Sequence, residues 1–283
     1  MTLKTALLQG QRLLEEAAVP EPRLTAEVLL AHATQKDRVW LIAHSDEELI
    51  ELWWIHYGRY LHQRIAGKPT QYITGKQEFY GRDFHVTPAV LIPRPETELL
   101  IEAVLERLSA PSRSLLFGSG QALNILDVGT GSGAIAITLA LETTAQVTAT
   151  DISPDALEIA KSNAERLGAS VHFRECDLIP AGKFDLIVSN PPYVALADKP
   201  TLQREVRDHE PELALYGGED GLEIYRRLIP AAANALHPGG CLIVEIGATQ
   251  ADAVSAMLTS WSRVEIRNDL AGLPRAVQAR KAA

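Results

Sequence analysis

Two short stretches of this 283-residue chain hold residues whose types and spacing could do chemistry. The first, Asp127-Val128-Gly129-Thr130-Gly131-Ser132-Gly133, follows an apolar run and opens a helical pattern; the second, Ser189-Asn190-Pro191-Pro192-Tyr193, ends another apolar run. Glycines in the first let the chain turn sharply and bring backbone amides close to a ligand with no Cβ in the way. A dinucleotide fingerprint would read GxGxxG, but this loop reads GxGxG with Ala134 at the sixth position, and the Gly-Lys-Ser/Thr of a phosphate-binding P-loop is absent.

A ligand that brings no phosphate fits better, and S-adenosylmethionine, with its amino-acid end on Gly129, Thr130, Gly131, Ser132 and Gly133 above Asp127, is the candidate. Asp151 ends the next apolar run about twenty residues on, where a carboxylate can accept two hydrogen bonds from ribose hydroxyls; Ile152 beside it belongs to the same edge. Asp177 follows a third run and could accept from an adenine amino group, with Leu178 packing on the ring. Tight turns and helix caps would also account for these glycines and aspartates, Ser153 and Asp155 serving a cap equally well.

In the second stretch, two prolines fix φ and remove two amide donors, so the segment is stiff and its carbonyls are left as acceptors. A substrate NH₂ group would satisfy them: one hydrogen to the Asn190 side-chain oxygen, the other to the Pro191 carbonyl beside Pro192, with Tyr193 stacked on the planar amide or base. An amide nitrogen is a poor nucleophile because its lone pair is delocalised. Holding both N–H groups aims that lone pair at a methyl carbon, which is a positioning effect worth several kcal/mol. Pro-Pro could instead simply end a strand, with Tyr193 packed below it.

The elements that must position these residues follow from periodicity. Thr5 to Ala17 and Arg23 to His32 carry apolar residues at helical spacing, and Ser45 with Glu48 signals a capping box for a helix through Trp53, Trp54 and Leu61. Gln71 to Val90 turns aromatic and β-branched around Gly81-Arg82, predicting a β-hairpin that leads into Leu91 to Glu96. A helix over about Glu96 to Leu108 precedes a loop at Pro111 and Ser112 to Gly120.

Beyond it, runs at Asn124–Val128, Val147–Thr150, Val171–Phe173, Phe184–Ser189, Cys241–Ile246, Val264–Arg267 and Ala276–Arg280 predict seven strands. Helical patterns near Ser132–Leu141, Pro154–Leu167, Gly221–Leu236 and Gln250–Thr259 separate them, so the sheet is parallel and the class α/β. The last pair has no room for a crossover helix and must be antiparallel. The expected domains are a small helical one over 1–85, with hairpin and linker over 71–95, and a catalytic one over 96–283. Ala195 to Asp208, charged and without a period, reads as a lid over the site.

Composition bounds the partners. Hydrophobic residues make up 46% and charged residues 22%, as in an ordinary globular protein. A net charge of −9 argues against nucleic acid, which recruits excess Lys and Arg. The two cysteines, Cys176 and Cys241, stand far apart, so neither a disulfide framework nor a structural metal site is expected, and a reducing cytoplasm fits. The eight histidines lack ligand spacing, so no metal is expected. No apolar run approaches membrane-spanning length, and Met1 to Gly10 does not read as a signal peptide.

On these residues the chain resembles the HemK/PrmC family, the release-factor glutamine methyltransferases. The likeness includes Gln71-Tyr72-Ile73-Thr74-Gly75, Glu78-Phe79-Tyr80-Gly81, Ile92-Pro93-Arg94-Pro95-Glu96-Thr97-Glu98, Glu210-Pro211, Gly217-Gly218-Glu219-Asp220-Gly221 and Gly272-Leu273-Pro274-Arg275. It implies a Rossmann-like, seven-stranded class I methyltransferase domain with its last strand antiparallel, behind a helical N-terminal domain that recognises substrate. It also implies S-adenosyl-L-methionine as donor, S-adenosyl-L-homocysteine as product, and the Gly-Gly-Gln glutamine of class 1 peptide chain release factors as acceptor. Some members carry tryptophan where this chain has Leu178, so adenine stacking there would be weaker. The rivals are an adenine-N6 DNA methyltransferase and a ribosomal RNA guanine-N2 methyltransferase, whose targets present a similar NH₂ group. Either would need a basic cleft, which the near-neutral residues 1–85 do not supply.

Overall fold

The computed structural model describes residues 1–109 and 122–282, so the loop expected at Pro111 and Ser112 to Gly120 lies outside the described residues. The chain divides into two compact units: Met1–Lys76 with Gln203–His209, and Gln77–Leu202 with Glu210–Ala283.

In the first unit the helical apolar period becomes helices at Leu3–Glu16, Pro22–Thr34, Arg38–Ala43, Glu51–Ile65 and Thr70–Thr74. Their apolar faces meet around Leu14, Leu30, Tyr57 and Leu61. Thr2 caps the first by accepting from the Thr5 amide at 3.2 Å, and Asp37 caps the third through the Trp40 amide at 2.7 Å. The capping box expected from Ser45 and Glu48 does not form. The helix starts later, at Glu51, with no side-chain cap. Tertiary pairing has claimed the segment: the Ser45 and Glu47 carbonyls accept from the Lys4 and Leu3 amides, and Glu48 bridges to Thr2. The stretch expected as an irregular lid is a 3₁₀ helix, Leu196–Thr201, then an α-helix, Arg204–His209. Buried Arg64 holds Glu205 at 2.6 Å, and Arg204 donates to the Ala66 carbonyl at 2.8 Å.

The second unit opens with the hairpin β1 (Lys76–Phe79) and β2 (Arg82–His85), turning at Tyr80-Gly81. It is shorter than the expected Gln71 to Val90 span because Thr70–Thr74 is helical. Seven strands then build the sheet: β3 (Asn124–Val128), β4 (Gln146–Asp151), β5 (Val171–Glu175), β6 (Phe184–Ser189), β7 (Leu236–Glu245), β8 (Ser262–Asn268) and β9 (Pro274–Arg280). Their order is β5-β4-β3-β6-β7-β9-β8. The first four pairings are parallel, and β9 runs antiparallel to both β7 and β8.

Successive residues of each inner strand feed opposite layers, which is why these strands read as unbroken apolar runs. Ile125, Val147 and Ile243 meet Leu100, Ile101, Ile137 and Leu139 on one face. Leu126, Ile187 and Leu242 meet Tyr225, Leu228 and Val254 on the other. β3 and β6 have the expected bounds, whereas β7 begins at Leu236, well before Cys241, because a register shift lets His237 to Gly240 bulge out of the ladder.

A close approach in the first unit gives a test. Alanine in place of a mid-helix glycine ordinarily gains about 1 kcal/mol, but a Cβ on Gly10 would lie 1.9 Å from the Tyr57 hydroxyl oxygen, which is buried without a partner among the described residues. Overpacking should win, so Gly10→Ala is expected to destabilise by about 1–3 kcal/mol. Tyr57→Phe should cost little and should recover part of that loss when combined. Denaturant melts of the three variants check this; a Gly10→Ala protein as stable as the parent would refute the contact.

Candidate active site

β3 delivers Asp127 and Val128 to the carboxyl edge of the sheet, where Gly129, Gly131 and Gly133 take φ of 73°, 55° and 84°, a region that favours glycine. The Gly129 and Thr130 amides both donate to the Thr150 carbonyl at 2.9 Å, tying the loop to β4. Asp127, with no exposed surface, accepts from the Thr130 hydroxyl at 2.7 Å and the Ala136 amide at 3.2 Å through Oδ2. Its Oδ1 is buried without a partner among the described residues. Burial pushes this carboxyl up to about 7 against the pull of Thr130 and Ala136, with the Asp151 charge adding to the rise.

Asp151 closes β4 with each oxygen already holding one backbone amide: Oδ2 accepts from Gly131 and Oδ1 from Ser153, both at 2.9 Å. It therefore shapes the loop as well as facing the cleft. Asp177 follows β5 and pairs with Arg227 at 2.5 Å. Leu178 has φ of 70°, and its carbonyl accepts from the Thr150 hydroxyl at 2.7 Å.

β6 lies beside β3 with Ser189 opposite Val128, and the Ser189 hydroxyl donates to the Val128 carbonyl at 2.7 Å. The Asn-Pro-Pro-Tyr segment thus starts level with the glycine loop. Asn190 Nδ2 donates to Thr97 Oγ1 at 3.1 Å, and the Thr97 hydroxyl donates to Glu245 Oε2 at 2.7 Å. Among the described residues nothing donates to Asn190 Oδ1 or to the Pro191 carbonyl. Gln250 Nε2 donates to the Tyr193 carbonyl at 2.9 Å, and a Cβ on Gly217 would lie 2.6 Å from the Pro192 carbonyl, so the segment is braced from behind.

A cleft of about 220 Å³ joins these parts. Of the residues expected from the sequence, it gathers Gly129 to Ser132, Asp151, Ile152, Asp177, Leu178 and Asn190 to Pro192. Three do not line it. Asp127 lies beneath the loop, Gly133 faces Ile137, whose Cδ1 would be 2.6 Å from an added Cβ, and Tyr193 packs into the apolar layer. The Tyr193 ring, expected to stack on a flat substrate group, instead sends its hydroxyl to Glu245 Oε1 at 3.3 Å, because that buried carboxylate needs donors.

Sequence reading missed Glu245 and Gln250, and named Thr97 only within the Ile92 to Glu98 likeness, without a role. Glu245 had a signal, since an acidic residue within an apolar strand is an anomaly that calls for buried partners. Arg94 is engaged with Glu210 at 2.5 Å, and Glu210 also accepts from the Ile92 amide at 3.3 Å, which fixes the linker. Among the described residues no cluster of His, Cys, Asp and Glu is arranged to hold a metal, and no helix is long and apolar enough to cross a membrane.

Residues 5–75 match the PrmC N-terminal domain family, and residues 119–272 match the Methyltransferase domain family. A release factor glutamine methyltransferase of Koribacter versatilis is 48% identical over 99% of this chain and 99% of its own length. One of Moorella thermoacetica is 45% identical over 97% of each. Among solved structures, a methyltransferase from Pyrococcus furiosus superposes with a TM-score of 0.50 at 21% identity, covering 72% of this chain and 91% of that one, which supports the fold alone.

Two fully buried carboxyls set a pH dependence. Asp127 and Glu245 rise from ordinary values of 3.8 and 4.5 to about 7, in both cases chiefly through burial. A raised folded value means that the stability present below the unfolded value is lost as pH climbs through the folded one. At about 1.36 kcal/mol per pKa unit, each withdraws on the order of a few kcal/mol between about pH 4 and pH 7. Glu245→Gln should therefore flatten the fall in unfolding free energy between about pH 4 and pH 7. Parallel slopes for parent and variant in denaturant melts would contradict it.

Proposed function

The chain belongs to the release factor glutamine methyltransferase family, and from that premise we propose that it methylates the side-chain nitrogen of the Gly-Gly-Gln glutamine in class 1 peptide chain release factors. The observation that carries this is the pair of open acceptors, Asn190 Oδ1 and the Pro191 carbonyl, set level with the glycine loop across β3 and β6. They match the two hydrogens of a primary amide, and the prolines keep the Pro191 carbonyl from turning away.

The donor is S-adenosyl-L-methionine, which supplies an electrophilic methyl on a sulfonium and leaves as S-adenosyl-L-homocysteine. The residues fit it on four counts. Asp127 Oδ1 is an orphaned buried acceptor, suited to an ammonium group directly or through water. Open space stands where Gly129 and Gly131 would carry a Cβ, so backbone can be approached there. Each Asp151 oxygen keeps a lone pair for a ribose hydroxyl after its one backbone amide. Ile152 and Leu178 offer apolar surface beside Asp177, whose second oxygen is left for an adenine amino group.

Asn190 and Pro191 then hold both amide hydrogens, so the nitrogen lone pair stands out of the amide plane while the new N–C bond forms. One of those N–H protons leaves afterwards, which restores a neutral secondary amide. Residues 1–85, helical as far as Thr74, serve as the substrate-recognition domain and residues 96–283 as the catalytic one, with a release factor as partner. Unpaired Cys176 and Cys241 support a cytoplasmic setting.

The direct test incubates the enzyme with labelled methyl donor and a release factor, the same factor with its Gly-Gly-Gln glutamine replaced, or duplex DNA. Label only on the intact factor is expected; label on DNA would overturn the assignment in favour of a base. Asn190→Ala should lower turnover by roughly 10²–10³-fold, the cost of one oriented hydrogen-bond partner at a reacting group, with donor affinity unchanged. Asp151→Ala should weaken donor binding by about 1–3 kcal/mol by calorimetry, and an undiminished affinity would remove its ribose role.

A further inference from the structure

Glu245 ends β7 only 1% exposed, an acidic residue at the end of an apolar strand. A buried carboxylate usually costs more in lost hydration than its contacts return. Its contacts have a direction. Thr97, itself 4% exposed, has a single hydroxyl proton and gives it to Glu245 Oε2 at 2.7 Å, so towards Asn190 it has only lone pairs to offer. Asn190 must then present its NH₂, which it does at 3.1 Å. Since the amide oxygen and nitrogen lie in one plane on opposite sides of the Cβ–Cγ axis, fixing the NH₂ fixes where Oδ1 faces. The other carboxylate oxygen takes the Tyr193 hydroxyl at 3.3 Å, and the Glu245 carbonyl takes the Tyr225 hydroxyl at 2.7 Å.

We propose that Glu245, acting through Thr97, is a positioning residue that sets the polarity of the substrate clamp: its carboxylate dictates that Asn190 meets the substrate amide with an acceptor and not with a donor. The proposal rests on Asn190 being the clamp. A proton on Glu245 Oε2 reverses the relay: Glu245 donates to Thr97, Thr97 donates onward, and Asn190 must turn its oxygen to Thr97. Its NH₂ then faces the substrate NH₂, donor against donor.

The groups around Glu245 place this reversal in an accessible range. Burial raises its carboxyl to about 7, with Glu96 adding to the rise while Thr97, Arg275 and Tyr193 oppose it. Arg275 is itself held by Asp269 at 3.0 Å. Tyr193 and Tyr225 are both raised above the ordinary tyrosine range, so they stay protonated and remain donors. Turnover should therefore fall as pH drops below about 7, even with donor and release factor saturating.

The experiment measures kcat from pH 5.5 to 9 with full-length enzyme and an intact release factor, alongside donor affinity by calorimetry and thermal melts at each pH. Thr97→Val keeps the shape but removes the relay's oxygen, and should lower kcat about 10–100-fold at pH 8, the range for a misaligned reacting group. Donor affinity and the KM for the release factor should stay within twofold, and the acid limb should vanish. Thr97→Ser should recover most of kcat together with the limb. Glu245→Gln cannot accept from both Thr97 and Tyr193, and should be slow without the limb; if it does not fold, the two Thr97 variants still decide. A Thr97→Val enzyme with the parent's kcat and pH profile would overturn the relay. In that event an inactive Asn190→Ala leaves the clamp standing, whereas an active Asn190→Ala removes clamp and relay together.

Discussion

The parallel pairing of β3 with β6 is the constraint on which the site depends. Val128 lies opposite Ser189, strands in such a ladder stand roughly 4.8 Å apart, and the Ser189 hydroxyl bonds the Val128 carbonyl across the gap. At this point the strand order reverses, because β4 lies on one side of β3 and β6 on the other. Chain leaving the two carboxyl ends diverges, and a crevice opens between the exits. Glycines fill one exit and prolines the other. A flexible backbone that can approach a ligand thus faces a stiff one that cannot give up its carbonyls.

That arrangement is maintained at a cost in stability. In both Asp127 and Glu245, loss of hydration outweighs the hydrogen bonds each receives, since both carboxyls rise to about 7 despite having donors. Apolar residues at either place would pack the sheet edge more favourably. Each carboxylate instead lies at or next to the end of its strand, where its donors belong to the site: Thr130 and Ala136 for Asp127, Thr97 and Tyr193 for Glu245. Orientation of the loop and of the tetrad is what the lost stability sustains.

How much of this was legible in the sequence follows from the range of each interaction. β3 and β6 could be read to the residue because buried parallel strands are unbroken apolar runs, and the glycine loop because its backbone demands are local. The capping box at Ser45 and Glu48 misled because a local pattern was overruled by pairing with Thr2 to Lys4. The Arg38–Ala43 helix is too short to show a period. The role of Thr97 escaped notice for a different reason: its partners lie 93 and 148 residues away, and a threonine carries no sign of which carboxylate the fold will bring to it. Of the two orientations open to Tyr193, on a flat substrate group or packed below the segment, the fold takes the second, since only the sheet puts Glu245 behind it.

The clamp alone does not choose its substrate. Two acceptors beside a methyl donor suit the NH₂ of an adenine as well as that of a glutamine, because both are flat and both offer two hydrogens. Discrimination must come from what the rest of the chain lets approach. Duplex DNA brings a negative charge about every 1.7 Å along its axis and is bound by releasing counterions to Lys and Arg. Here 36 acidic residues face 27 basic ones, and the cleft itself carries Asp151 and Asp177 against Arg227. That balance opposes a polyanion. A neutral glutamine on a protein loop meets no such opposition.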